Sequence, residues 1–73
     1  MPTFEQALGQ VIATERKRLG LTQEALAEAC GVHTTYVSQL ERGLKSPTVR
    51  VVRSLASVLK STAASRIAKA EKA

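Results

Sequence analysis

Residues 23–43 read QEALAEACGVHTTYVSQLERG, two short amphipathic runs joined by a tight turn at Cys30-Gly31-Val32. In the first run Ala25, Leu26 and Ala29 recur at helical spacing, and in the second Val37 and Leu40 do, so each run has one apolar face. Leu21 precedes a Thr22 N-cap and can pack on Leu26, while Val32 can pack on Val37. Both helices therefore open on a hydrophobic staple. Gly31 supplies the positive φ that a sharp turn after a helix demands. The geometry implied is a helix-turn-helix. Its second helix turns outward Thr34, Thr35, Ser38, Gln39 and Arg42, short hydrogen-bonding groups plus one cation, which is the equipment needed to read base edges.

Upstream, Thr-Phe-Glu-Gln at residues 3–6 has capping-box spacing, so a first helix is expected from about 4 to 19, with Gly20 ending it. Its apolar stripe is Leu8, Val11, Ile12 and Leu19, and helical steps along the stripe also reach Glu15 and Arg16, placing charge at the edge of the core. The central pair is expected at 23–30 and 34–42. Pro47 disfavours helix at Ser46, making 44–47 a loop, and Thr48 caps a fourth helix at 49–60. Its inner stripe is expected to be Val49, Val52, Leu55, Ala56 and Leu59. A second stripe, Val51 and Val58 with Leu55 between them, widens the apolar arc; the helix is then either thoroughly buried or presents a surface to another subunit. The tail STAASRIAKAEKA, with Ile67 as its one large apolar residue, is either a short fifth helix at 62–71 or a frayed end. The fold class expected is all-α, a compact four- to five-helix bundle forming one domain over residues 1–73.

The chain has 73 residues, and a domain of that size buries only about 60% of the surface its unfolded chain exposes, so a partner chain would help it. Aromatic residues make up 3% of the sequence, leaving Leu, Val, Ile and Ala to fill the core. A formal charge of +5 and a pI near 10.0 favour an anionic partner, nucleic acid or acidic lipid. The basic residues are spread over several elements instead of lining one amphipathic face, which argues against a membrane-surface helix. No stretch has the length of a membrane span or the pattern of a signal peptide, and a single thiol suits a reducing compartment. A cytoplasmic location is expected.

Chemistry of the catalytic kind has little to stand on. With no aspartate and one histidine, no Ser-His-Asp triad can be assembled, and there is no glycine-rich phosphate loop. One cysteine and one histidine cannot make a tetrahedral metal site. Glu24 and Glu28 share a helical face that reads as solvated polar surface. Cys30 near His33 has the outline of a nucleophile and base, but a thiol buried at a helix-helix turn is the plainer account. No enzyme, metal, cofactor or small-molecule ligand is expected. His33 occupies the N-cap position of the third helix, so either Thr34 takes over the cap or the histidine serves contact with phosphate or base. Tyr36 is either packing or a hydroxyl that reaches a phosphate. Gln23, at the start of the second helix, is either exposed helix start or part of a phosphate site with the helix amides.

Taken together, Arg16, Gly20-Leu21-Thr22-Gln23, Leu26-Ala27, Gly31-Val32, Tyr36-Val37-Ser38, Leu40-Glu41-Arg42-Gly43, Pro47 and Leu55-Ala56 before Leu59 resemble the phage-repressor or Cro-like helix-turn-helix family, often called XRE-like. The run from Thr35 to Gly43 also resembles the small controller proteins of restriction-modification systems. The resemblance implies a lambda-repressor-like bundle that binds a double-stranded DNA operator, usually as a symmetric dimer, and regulates transcription. By matched position it gives Gln23 a phosphate contact, Thr34, Thr35, Ser38 and Gln39 the base-reading positions, and Arg42 and Lys45 the backbone clamps. His33 departs from the family's small polar cap, and residues 60–64 are less hydrophobic than its usual continuation.

Three further expectations follow. Arg16 and Glu41 sit at the core-facing edges of the first and third helices and are expected to form an ion pair. Val51, Leu55 and Val58 are expected to form a homodimer interface together with the segment after them. The competing function is a protein-binding module of the same fold, such as the antitoxin half of a toxin-antitoxin pair.

Overall fold

The computed structural model describes the backbone of residues 1–72 and the side chains of residues 1–60. Four helices follow one another: α1 (Phe4–Arg18), α2 (Gln23–Cys30), α3 (Thr34–Glu41) and α4 (Val49–Lys72).

The N-caps of α1, α2 and α3 are Thr3, Thr22 and His33, each in extended backbone. At α1 the capping box is complete: the Gln6 backbone N–H donates to Thr3 Oγ1 at 3.1 Å, and the Thr3 N–H donates to Gln6 Oε1 at 2.9 Å. Thr22 Oγ1 accepts from the Ala25 N–H at 3.0 Å to open α2, and Thr48 Oγ1 accepts from the Val51 N–H at 3.2 Å to open α4. The ends of α1, α2 and α3 share one device, a pair of nested backbone bonds closing over a glycine. In the helix-turn-helix these are Val32 N–H to Ala27 O at 3.0 Å and Gly31 N–H to Glu28 O at 3.2 Å, with Gly31 at φ 69°.

The core is a single cluster of Ile12, Leu26, Ala27, Val37, Leu40 and Leu55, on which Tyr36, Val51, Val58 and Leu59 pack. Leu26 and Val37 are 0% exposed, so the two short helices of the motif are held by what they bury and not by their own length. Truncating a leucine so placed costs about 2–5 kcal/mol. α1 crosses α3 in backbone contact at Gly9. A Cβ built there would lie 2.3 Å from the Leu40 carbonyl oxygen and 2.7 Å from that of Glu41. The loop after α3 is fastened to α1 as well, where Ser46 Oγ donates to Glu5 Oε1 at 3.0 Å.

Several expectations need correcting. Val11, placed on the inner stripe of α1, is 58% exposed; the buried face is Gly9, Ile12 and Arg16, continued by Leu19. In α4 the expected inner stripe holds only in part: Leu55 is buried and Leu59 packs on the core as expected, but Val49 and Val52 are 71% and 45% exposed and Ala56 is exposed, while Val51 and Val58 also pack against the core. The reason is that α4 docks on α2, and residues 51, 55 and 58, spaced i, i+4 and i+7, share one helical face that packs with the core. Of the three residues expected to form a dimer interface, Leu55 is buried in the core and Val51 and Val58 are half-buried against it. The other stripe faces α1 across an open groove lined by Leu8, Val11, Ile12, Val52, Ala56 and Leu59. Finally, α4 continues unbroken to Lys72, so the stretch 62–71, read as either a short fifth helix or a frayed end, is an extension of α4. No Gly or Pro follows Pro47 to stop it. The expected part of the tail in a dimer falls on side chains outside the described residues.

Candidate nucleic-acid interface

At 100° per residue, Thr35, Ser38, Gln39 and Arg42 fall on one arc of α3, with Thr34 at its margin, opposite the buried Val37 and Leu40. Thr35 and Arg42 are exposed, and Thr34, Ser38 and Gln39 are half-buried at the flanks of the helix. α3 ends at Glu41, leaving Arg42 as its C-cap. The arc combines hydroxyl donors and acceptors, one amide able to bond in two places, and a cation at its end.

His33 is the N-cap of α3 and Thr34 is the first helical residue, so the threonine does not take over the cap. The imidazole makes no capping hydrogen bond; it is exposed, on the rim of a shallow depression that also holds Glu24 and Glu28. The first turn of α3 thus has no side-chain acceptor of its own. Tyr36 packs its ring on the core and carries the Lys45 ammonium 5.9 Å from the ring centroid, a cation–π contact that holds the lysine beside the end of α3.

The pair formed by Arg16 and Glu41 underlies this surface. Arg16 Nε donates to Glu41 Oε2 at 2.6 Å and Nη2 donates to Oε1 at 3.1 Å, the two side chains being 10% and 7% exposed. The remaining Nη1 donates to the Leu21 carbonyl at 2.7 Å. Burial pushes the Glu41 carboxyl up, but the hydrogen bonds from Arg16 and Gln23 and the guanidinium charge outweigh it and hold the group below its ordinary range. Among the described buried side chains no polar atom lacks a hydrogen-bond partner, which is the condition under which a buried ion pair is tolerable.

Gln23 lies at the start of α2 as expected but makes a bond that was not. It is the first residue of α2, half-buried, and its Nε2 donates to Glu41 Oε1 at 3.0 Å. Its amide is therefore tied to the ion pair. No periodicity links residues 18 apart in sequence, so nothing short of the helix packing reveals the bond. Cys30 is half-buried, and burial raises its pKa, which favours the protonated thiol. Among the described residues no three His, Cys, Asp or Glu converge as a metal site, and no helix is long and apolar enough to cross a membrane.

A two-helix motif with a polar outer helix flanked by cations defines the class of helix-turn-helix proteins. The chain matches the Helix-turn-helix family model over residues 12–70, and it belongs to that family, in its XRE-type branch. It is 40% identical over 56 residues to the uncharacterized HTH-type transcriptional regulator y4dJ of Sinorhizobium fredii, covering 77% of this chain and 73% of that one. It is 36% identical over 55 residues to the uncharacterized HTH-type transcriptional regulator Rv0474 of Mycobacterium tuberculosis, covering 75% of this chain but 39% of that protein's length. Among solved structures it superposes on the Clp gene regulator ClgR of C. glutamicum with a TM-score of 0.78 and 36% identity, over 81% of this chain and 76% of that one.

Proposed function

We propose that this chain is a sequence-specific double-stranded DNA-binding regulator of transcription that lays α3 in the major groove of a palindromic operator. The observation that carries the reading is the outer arc of α3. Thr34, Thr35, Ser38 and Gln39 face away from the core on a rigid element, bounded by Arg42 and Lys45, in a chain of net charge +5. Gln39 reads a base edge, the threonines offer hydroxyls or methyls, and His33 stands at the helix start where a base or phosphate can reach it. Arg42, Lys45 and Gln23 grip the flanking backbone. The chain acts in the cytoplasm, without a cofactor, metal or small effector, and has no catalytic role.

One recognition helix reads too few base pairs to single out an operator, so the working species in this reading is a homodimer, its two α3 helices roughly 34 Å apart. With Leu55 buried and Val51 and Val58 half-buried against the core, the second copy in this reading seats on the α1–α4 groove, where Val11, Val52 and Ala56 are exposed among the described residues.

Binding to a duplex carrying the chain's own promoter, against a scrambled duplex of equal length at physiological salt, tests the reading. A preference of at least about a thousandfold is expected. Equal affinity for the two duplexes overturns sequence-specific regulation, and copurification of a neighbouring gene product without DNA preference supports the antitoxin-like alternative instead.

A further inference from the structure

We infer that Glu41 is a positioning residue for DNA binding: it holds the Gln23 amide so that one N–H is spent inward and the other is presented to the duplex backbone. The inference rests on reading Gln23 as a phosphate contact. A glutamine amide is two-faced, with a nitrogen that donates and an oxygen that only accepts. A phosphate also only accepts, so an amide presenting its oxygen opposes binding. Glu41, as a carboxylate, selects between the two orientations, because it can accept only from the nitrogen. The structure shows that orientation, with Gln23 Nε2 3.0 Å from Glu41 Oε1.

The carboxylate is itself held still. Arg16 grips both of its oxygens, at 2.6 and 3.1 Å, and reaches the Leu21 carbonyl with its remaining nitrogen. Leu21 precedes the Thr22 cap of α2, and Gln23 is the first residue of that helix. One guanidinium and one carboxylate therefore join the approach to α2, the first side chain of α2 and the last residue of α3. The distance between the backbone grip at Gln23 and the reading arc of α3 is set before DNA arrives. A side chain ordered in advance spares its ordering entropy on binding, worth roughly three- to tenfold in affinity.

The test is a double-mutant cycle in operator affinity with Gln23→Ala and Glu41→Gln, each measured where circular dichroism shows the variant folded. Gln23→Ala is expected to weaken binding about tenfold, as for one hydrogen bond to a charged group, with the salt dependence unchanged because no charge is removed. Glu41→Gln is expected to weaken binding roughly three- to tenfold alone and to have no effect in the Gln23→Ala background. If Gln23→Ala leaves affinity unaltered, the phosphate reading of Gln23 fails and the inference with it. If Gln23→Ala weakens binding but Glu41→Gln acts equally in both backgrounds, the contact stands and the positioning role is overturned. Should Glu41→Gln not fold, nitrogen-15 spectra of the unmodified protein decide: the Gln23 side-chain amide protons must respond to titration of Glu41 and differ from each other more than in a free glutamine. Resonances at free-glutamine positions, indifferent to that titration, overturn the inference.

Discussion

Replacing Gly9 by alanine adds one methyl group, at the point where α1 lies against the carbonyls of α3. The added Cβ would sit 2.3 Å from the Leu40 oxygen, where ordinary contact begins at 3.4 Å. The obstacle is backbone, which has no rotamer to change, so the helices must separate by about 1 Å for the contact to become an ordinary one. Overpacking of this kind costs about 1–3 kcal/mol, and separation at Gly9 also pulls on the Arg16–Glu41 pair two turns further along the same interface. Opposing it is the better helix propensity of alanine, about 1 kcal/mol. With the ion pair strained as well, the overpacking prevails, and Gly9→Ala is expected to be net destabilising by about 1–2 kcal/mol, lowering the melting temperature by roughly 5–15 °C in a domain this small. Gly31→Ala is the control: nothing lies within 4 Å of a Cβ there, so its cost comes from φ +69° alone. Urea unfolding followed by circular dichroism gives both values. If Gly9→Ala is as stable as the parent or more so, α1 and α3 do not touch through their backbones and the account of this interface is wrong.

Glu41→Ala is expected to cost about 3–5 kcal/mol, because it strands a buried guanidinium, and Arg16→Met combined with Glu41→Leu to cost less than either single change; denaturant titration of the three proteins checks the order. The carboxyl of Glu41 titrates lower in the folded than in the unfolded chain, so its contribution to stability is complete above the ordinary value of 4.5 and is lost as the pH falls through the depressed folded value; melting temperatures from pH 7 to 2 trace that loss, and the slope should vanish in the Arg16→Met, Glu41→Leu protein if this pair dominates it. On DNA, Gln39→Ala is expected to cost about 1–3 kcal/mol per half-site and to relax preference at particular base pairs, whereas Lys45→Ala weakens operator and scrambled duplex alike and flattens the slope of log affinity on log salt by about 0.9. Salt titrations of the two variants on both duplexes separate reading from gripping. Sedimentation of Val52→Glu alongside the parent tests the dimer face: a parent that dimerises and a variant that does not are expected, and a variant that dimerises normally excludes the α1–α4 groove.

The first three helices were legible because their signals are local. Thr3 with Gln6, Thr22, and the glycines at 20, 31 and 43 each act within a turn of where they sit, so their spacing places a boundary directly. The face of α4 was not legible for a reason of symmetry. Val49, Val52, Ala56 and Leu59 repeat at helical spacing as well as Val51, Leu55 and Val58 do, and only the neighbours chosen by the fold leave Val49, Val52 and Ala56 exposed while Leu59 joins Val51, Leu55 and Val58 at the core. Val11 misled in the same way: a large apolar residue at the right step of α1 borders an open groove, while Gly9, with no side chain to count, lies directly against the backbone of α3. At the candidate interface the types and order of residues on α3 could be read from sequence. The bond from Gln23 to Glu41, and the Lys45 ammonium over Tyr36, depend on how helices cross and could not.

The guanidinium of Arg16 that reaches both a carboxylate on α3 and a carbonyl before α2 also constrains how such a sequence can diverge. A single codon change at 16 or 41 leaves the other charge buried and alone, at about 3–5 kcal/mol, a large part of what a domain of this size has to lose. An apolar replacement is acceptable only when both positions change together, and even then the Leu21 carbonyl and the Gln23 amide lose their partners. Residues 16, 23 and 41 therefore move through sequence space as one unit spread over three helices. A chimera that takes α1 from one relative and the remainder from another is sound only when the two parents agree on that unit, however well their surfaces match.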